Sequence, residues 1–94
     1  MVTVAMAIDS PRGGFHGSVK RSITIAGHPT SISLEPIFWS ALEDAARERA
    51  LPLSALVAEI DAIRITADLP TNLASALRTW LFARLANKNE NRSH

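Results

Sequence analysis

The sequence has no cysteine, so neither a disulfide nor a thiolate metal site can hold it together. It has no excess charge of one sign: ten Lys and Arg against nine Asp and Glu leave a net charge of +1. A uniformly basic nucleic-acid surface is thereby excluded. No apolar run approaches the roughly 20 residues of a membrane span. The short apolar stretch Val2 to Ile8 has no basic residue before it and no cleavage site after it, which makes it a poor signal peptide. These absences point to a soluble cytoplasmic protein with no membrane partner. Glycine is scarce, and Gly13-Gly14 follows no strand, so there is no phosphate-cradling loop. His16, His28 and His94 lack metal-ligand spacing. Ser40, Ser54 and Ser75 have no organised base or G-x-S-x-G setting. Glu43-Asp44 and Glu59-Asp61 read as wet helix faces rather than an acid/base pair. The expectation is a non-enzyme without cofactor or metal.

What is present is a single domain of 94 residues. A chain this short buries only about 60–65% of its unfolded surface. Further burial is expected from a partner chain, most simply an identical one. Residues 1–19 form a tail, with breaker chemistry at Ser10-Pro11-Arg12-Gly13-Gly14. Residues 20–86 form the domain, and the polar run 87–94 frays. What basic bias there is lies on the N-terminal side, at Arg12, Lys20 and Arg21.

Two short segments alternate polar and apolar residues, Ser22 to Ile25 and Thr30 to Leu34, which is the strand signal. Gly27 between them suits a turn, so a hairpin is possible. In the second segment Ile32 and Leu34 face a core while Ser31 and Ser33 face out. Glu35-Pro36 ends the strand and pre-sets a helical turn. Three helices follow. The first spans about Pro36–Ala50, with Phe38, Leu42, Ala45 and Ala46 on one face. The second spans about Pro52–Ile65, with a stripe of Leu53, Leu56, Val57, Ile60 and Ile63. The third spans about Asn72–Ala86, with Thr71 as its cap and a stripe of Leu73, Ala76, Leu77, Trp80, Leu81 and Leu85. Only Leu51 separates the first two. Trp39 and Trp80, set among leucines and alanines, are expected in the core or at a dimer contact.

Lys20-Arg21-Ser22-Ile23-Thr24-Ile25-Ala26-Gly27-His28, followed by Thr30-Ser31-Ile32-Ser33-Leu34-Glu35, Phe38-Trp39, Leu42 and Leu53-Ser54-Ala55-Leu56, resembles the ribbon-helix-helix family. More narrowly, it resembles the short bacterial members with an extra C-terminal helix, here Leu73 to Arg78 onward. The resemblance implies a mainly α fold with a short N-terminal β-segment. It also implies an intertwined homodimer in which one strand from each chain pairs into a ribbon. That ribbon enters the major groove of double-stranded DNA, and the protein regulates transcription. Carried over residue by residue, base contacts fall on Ser31, Ser33 and Glu35. Phosphate contacts fall on Lys20, Arg21 and the amides of Leu53 and Ser54 at the second helix start. Pro52 stands where a Ser or Thr cap is commoner in the family. The near-neutral charge and the uncharged serine face leave an alternative open. In that alternative a dimeric protein-interaction module, antitoxin-like included, keeps the fold with weak or no DNA binding.

Overall fold

The computed structural model describes residues 8–92. Met1 to Ala7 of the expected tail, and Ser93 and His94, lie outside it. Two strands, β1 (Val19–Ile25) and β2 (His28–Leu34), are followed by α1 (Pro36–Glu48), α2 (Leu53–Arg64) and α3 (Leu73–Arg92). The architecture is the expected one, mostly α with a short β-segment in front.

The strands pair with each other, antiparallel, within the chain. The turn between them is two residues long, and both Ala26 (φ +50°) and Gly27 (φ +83°) are left-handed. Two positive φ angles in a row make the turn whose twist suits a tight hairpin. The resemblance implied a ribbon with one strand from each chain. Within the chain, β1 lies beside β2. Both strands run longer than the alternation indicated, starting at Val19 and at His28.

Register divides the hairpin into two faces, because paired residues share a side. Val19, Arg21, Ile23 and Ile25 lie with Leu34, Ile32, Thr30 and His28. On that inner face Ile23, Ile32 and Leu34 are buried and join Trp39, Leu42, Ala45, Ala46, Leu56, Val57, Ile60, Leu77 and Leu81 in one core. The outer face carries Lys20, Ser22 and Thr24 opposite Ser33, Ser31 and Pro29.

α1 starts as its sequence dictates, with Glu35 extended as N-cap and Pro36 fixing the first turn. Its buried face is Trp39, Leu42, Ala45 and Ala46. Phe38, expected in that face, is only half-buried, and Trp39 takes its place with its indole Nε1–H donating to the Val19 carbonyl at 2.9 Å. α1 ends two residues earlier than expected. The Leu51 N–H reaches the Ala46 carbonyl (2.9 Å) and the Ala50 N–H the Arg47 carbonyl (3.0 Å). This pair of bonds is the Schellman closure, and it puts Ala50 at φ +56°, a position glycine usually fills.

α3 departs most from expectation. Its cap is Asn72, whose Oδ1 accepts from the Ser75 N–H at 2.8 Å, while the Thr71 carbonyl is held by Arg64. The helix continues to Arg92, six residues beyond Ala86. Leu77 and Leu81 are buried, Trp80 is half-buried and Leu85 is exposed, as is Ile63 on α2. No helix among the described residues is long and apolar enough to cross a membrane.

Candidate functional site

Several of the singled-out residues converge on the outer face of the hairpin. Lys20 sits directly opposite Ser33, and Ser31 opposite Ser22. Lys20, Ser22, Thr24, Pro29 and Ser31 are exposed and Ser33 is half-exposed. The face is therefore a row of three cross-strand pairs. A lysine–serine pair lies at the open end, a serine–serine pair in the middle, and a threonine–proline pair at the turn. No ion pair engages Lys20 among the described residues, so its charge is available to a ligand. Ser22 and Thr24, which were not among the expected site residues, share this face. Their alternation was visible in the sequence, but only the register with β2 shows that they share the face of Ser31 and Ser33.

Two of the residues expected to contact DNA engage other parts of the chain here. Arg21 is on the inner face, opposite Ile32. Its guanidinium stacks on the Trp39 ring, 4.7 Å from the centroid, and reaches Glu43 Oε2 at 3.4 Å. The cation is drawn down to an aromatic face and a carboxylate on α1, not out beside Lys20. Glu35 has the serines' parity but belongs to the helix start. Its Oε1 accepts from Arg78 Nε (3.1 Å) and Nη2 (2.9 Å). Its own backbone N–H, and then the Arg78 guanidinium, hold its carboxyl below the usual range. Arg78 in turn stacks on Phe38, 5.6 Å from the centroid. Glu35 is thus committed to α3 rather than to the serine face.

At the start of α2, Pro52 is the cap residue, extended and with no side-chain cap bond. The first inward bonds are made by the Ala55 and Leu56 N–H groups, both to the Pro52 carbonyl. The Leu53 and Ser54 N–H groups therefore have no backbone partner and point out of the helix end, where its dipole is positive. Ser54 is exposed and Leu53 half-buried. Proline costs the site a hydroxyl cap but leaves these two amides uncommitted.

Two cavities flank α3. One, of about 530 Å³, is lined by Glu48, Arg49, Trp80, Ala83, Arg84, Asn87 and Lys88. In it Glu48 is bonded to both Lys88 and Arg84; the Lys88 ammonium first, and then the Arg84 guanidinium, keep its carboxyl below the usual range. The other, of about 300 Å³, lies between α2 and α3 and is lined mostly by apolar residues, among them Ile60, Ile63, Leu69 and Trp80. Among the described residues, no three His, Asp or Glu side chains gather as metal ligands.

A family described as "Ribbon-helix-helix domain" matches residues 18–85, which takes in both strands, α1, α2 and α3 as far as Leu85. No curated protein and no solved structure matches the chain.

Proposed function

The chain belongs to the ribbon-helix-helix family, and from that premise we propose that it is a cytoplasmic, homodimeric transcription regulator that binds double-stranded DNA through the outer face of its hairpin. Members of the family generally bind DNA as transcription regulators. The observation that carries the reading is the hairpin's division into a buried apolar face and an exposed polar one. Two antiparallel strands lie about 4.8 Å apart and fit a major groove about 12 Å wide. Ser31 and Ser33 meet base edges, where a hydroxyl can donate or accept. Lys20 and the Leu53 and Ser54 amides hold phosphates. Arg21 joins them only by giving up Glu43. Readout by hydroxyls alone discriminates weakly, so the binding is semi-specific. The homodimer is supported by the large apolar side chains left exposed on so small a chain. They include Ile37, Ile63, Ile65, Leu69 and Phe82, each more than half exposed.

The near-neutral charge favours a second reading, a dimeric interaction module with little DNA affinity. A salt titration of binding to genomic DNA fragments separates the two. DNA binding must weaken steeply with salt, and Lys20→Ala must reduce the slope by about one unit. Negligible affinity for every fragment at low salt rejects the regulator and leaves the module. Native mass spectrometry at micromolar concentration tests the dimer.

A further inference from the structure

We infer that the cleft between the end of α1 and residues 80–88 of α3 is a binding site for a small phosphate monoester that carries a flat ring, a ligand of the nucleoside monophosphate kind. The cleft is built by α1 and α3 alone, apart from the hairpin and from the amides that open α2. Its volume of about 530 Å³ falls in the range of small-molecule sites.

Charge selects the head of the ligand. Arg49, Arg84 and Lys88 line the cleft against a single carboxylate, Glu48, which leaves an excess of two positive charges. Arg84 gives Glu48 its Nη2, one corner of a guanidinium that has five N–H donors. Its side chain is only 20% exposed, so a phosphate bonded to it is drawn partly out of bulk water, where such a bond is stronger. Arg49 has no carboxylate partner among the described residues. Its guanidinium lies over the Trp80 ring, 5.4 Å from the centroid. A guanidinium stacked on an aromatic face is oriented without being neutralised. A phosphate monoester carries close to two negative charges at neutral pH and balances the excess, whereas a carboxylate or a phosphodiester carries one. The rest of the lining selects the ring. Trp80 is the one aromatic wall of the cleft, and it is half-buried. A planar ring stacks on an indole, or on the guanidinium plane already laid over it. Asn87 is exposed and offers an amide donor and an acceptor together, the pattern that pairs with a base edge. Inorganic phosphate would leave both groups unused.

The test titrates the full-length protein, without DNA and at low salt, with adenosine 5′-monophosphate, and follows the indole N–H resonances of its two tryptophans by NMR. Trp39 is buried, with its Nε1–H bonded to the Val19 carbonyl, and its resonance should stay still. The Trp80 resonance, identified by its loss in Trp80→Phe, should move. Adenosine, which lacks the phosphate, should bind about a hundredfold more weakly. Ribose 5-phosphate, which lacks the ring, should bind about tenfold more weakly. Arg49 takes no part in the ion pairs that tie α3 to α1, so Arg49→Ala leaves those ties in place. It should weaken nucleotide binding about tenfold, the loss of one charge-assisted contact. Glu48→Gln removes the like charge beside the phosphate and should tighten binding about fivefold, a gain that a damaged fold cannot produce. A Trp80 resonance that does not move at millimolar nucleotide overturns the inference. So does binding that Arg49→Ala leaves unchanged, or adenosine that binds as tightly as its monophosphate. These outcomes leave the DNA-binding reading untouched, since no DNA is present. In a separate titration, a short duplex that moves the Trp80 resonance where the nucleotide does not would make the cleft a DNA-backbone contact, and would overturn the inference as well.

Discussion

The hairpin, α1 and α2 are joined mainly by apolar contact, whereas α3 adds to its apolar anchors a set of ion pairs to the two ends of α1. Leu34, Leu42, Ala45, Leu56 and Val57 are within a percent of complete burial, with no polar side chain among them. α3 contributes two deep anchors, Leu77 and Leu81, packs Leu73, Ala74 and Trp80 partly against the core, and is also tied to the two ends of α1 by ion pairs. Arg78 binds Glu35 at the beginning, and Arg84 and Lys88 bind Glu48 at the end. Contacts of the first kind do not depend on pH or salt. Those of the second kind do. One part of the domain thus sets the fold, and the other can be loosened by solution conditions without dismantling it.

The sharpest way to break this contrast is to cut into the first region. Leu34→Ala empties a site with no exposure in the strand that joins hairpin to helices, and should cost about 3 kcal/mol in urea unfolding. A loss below about 1 kcal/mol would mean that the hairpin is not part of the core. In α3, Trp80→Ala removes a larger side chain but from a half-buried site under Arg49, 5.4 Å from the ring centroid. About 1.5–2 kcal/mol is expected, roughly half the value for a fully buried aromatic. A cost as large as that of Leu34→Ala would erase the distinction between the regions.

A gain is expected at the turn between α1 and α2. Ala50→Gly relieves the left-handed alanine and should stabilise by about 0.5–1 kcal/mol, after the extra flexibility glycine gives the unfolded chain. Calorimetry would register it as a rise in Tm. The smallest effect concerns pH. Glu35 and Glu48 both have lowered carboxyl values, so the stability they contribute is present above 4.5, the ordinary glutamate value, and is lost as pH falls through the lowered ones. Acid should therefore loosen α3 before it disturbs the hairpin core. Trp80 fluorescence should move below pH 4.5 ahead of far-ultraviolet circular dichroism, and Glu35→Gln with Glu48→Gln should remove that early step. Coincident transitions would show that α3 and the core melt as one.

The elements themselves were legible because each carries its own period. Alternation gave both strands, and the stripes gave all three helices. The sides taken by Ser31, Ser33, Ile32 and Leu34 followed from parity alone. What local pattern did not give has a different cause. Arg21 and Glu35 were assigned by strand position, but their partners Glu43 and Arg78 are 22 and 43 residues away, beyond the reach of local pattern. Gly27 left a hairpin open in the sequence, but the positive φ at Ala26 that tightens its turn has no signal there. The polar run after Ala86 reads as a frayed end, yet Lys88 is fastened to Glu48, so the helix carries on. Asn72 and Thr71 are both acceptable caps, and only geometry chooses between them.

The hairpin's turn also has a kinetic meaning. Closing a loop of two residues costs little chain entropy, and hairpins form in microseconds, before distant segments meet. A ribbon assembled from two chains must await a bimolecular encounter, so its rate of formation rises with protein concentration. The hairpin of this protein closes inside a single chain. Its appearance during refolding should be first order and the same at any dilution, and whatever association follows should be a separate, later and concentration-dependent phase.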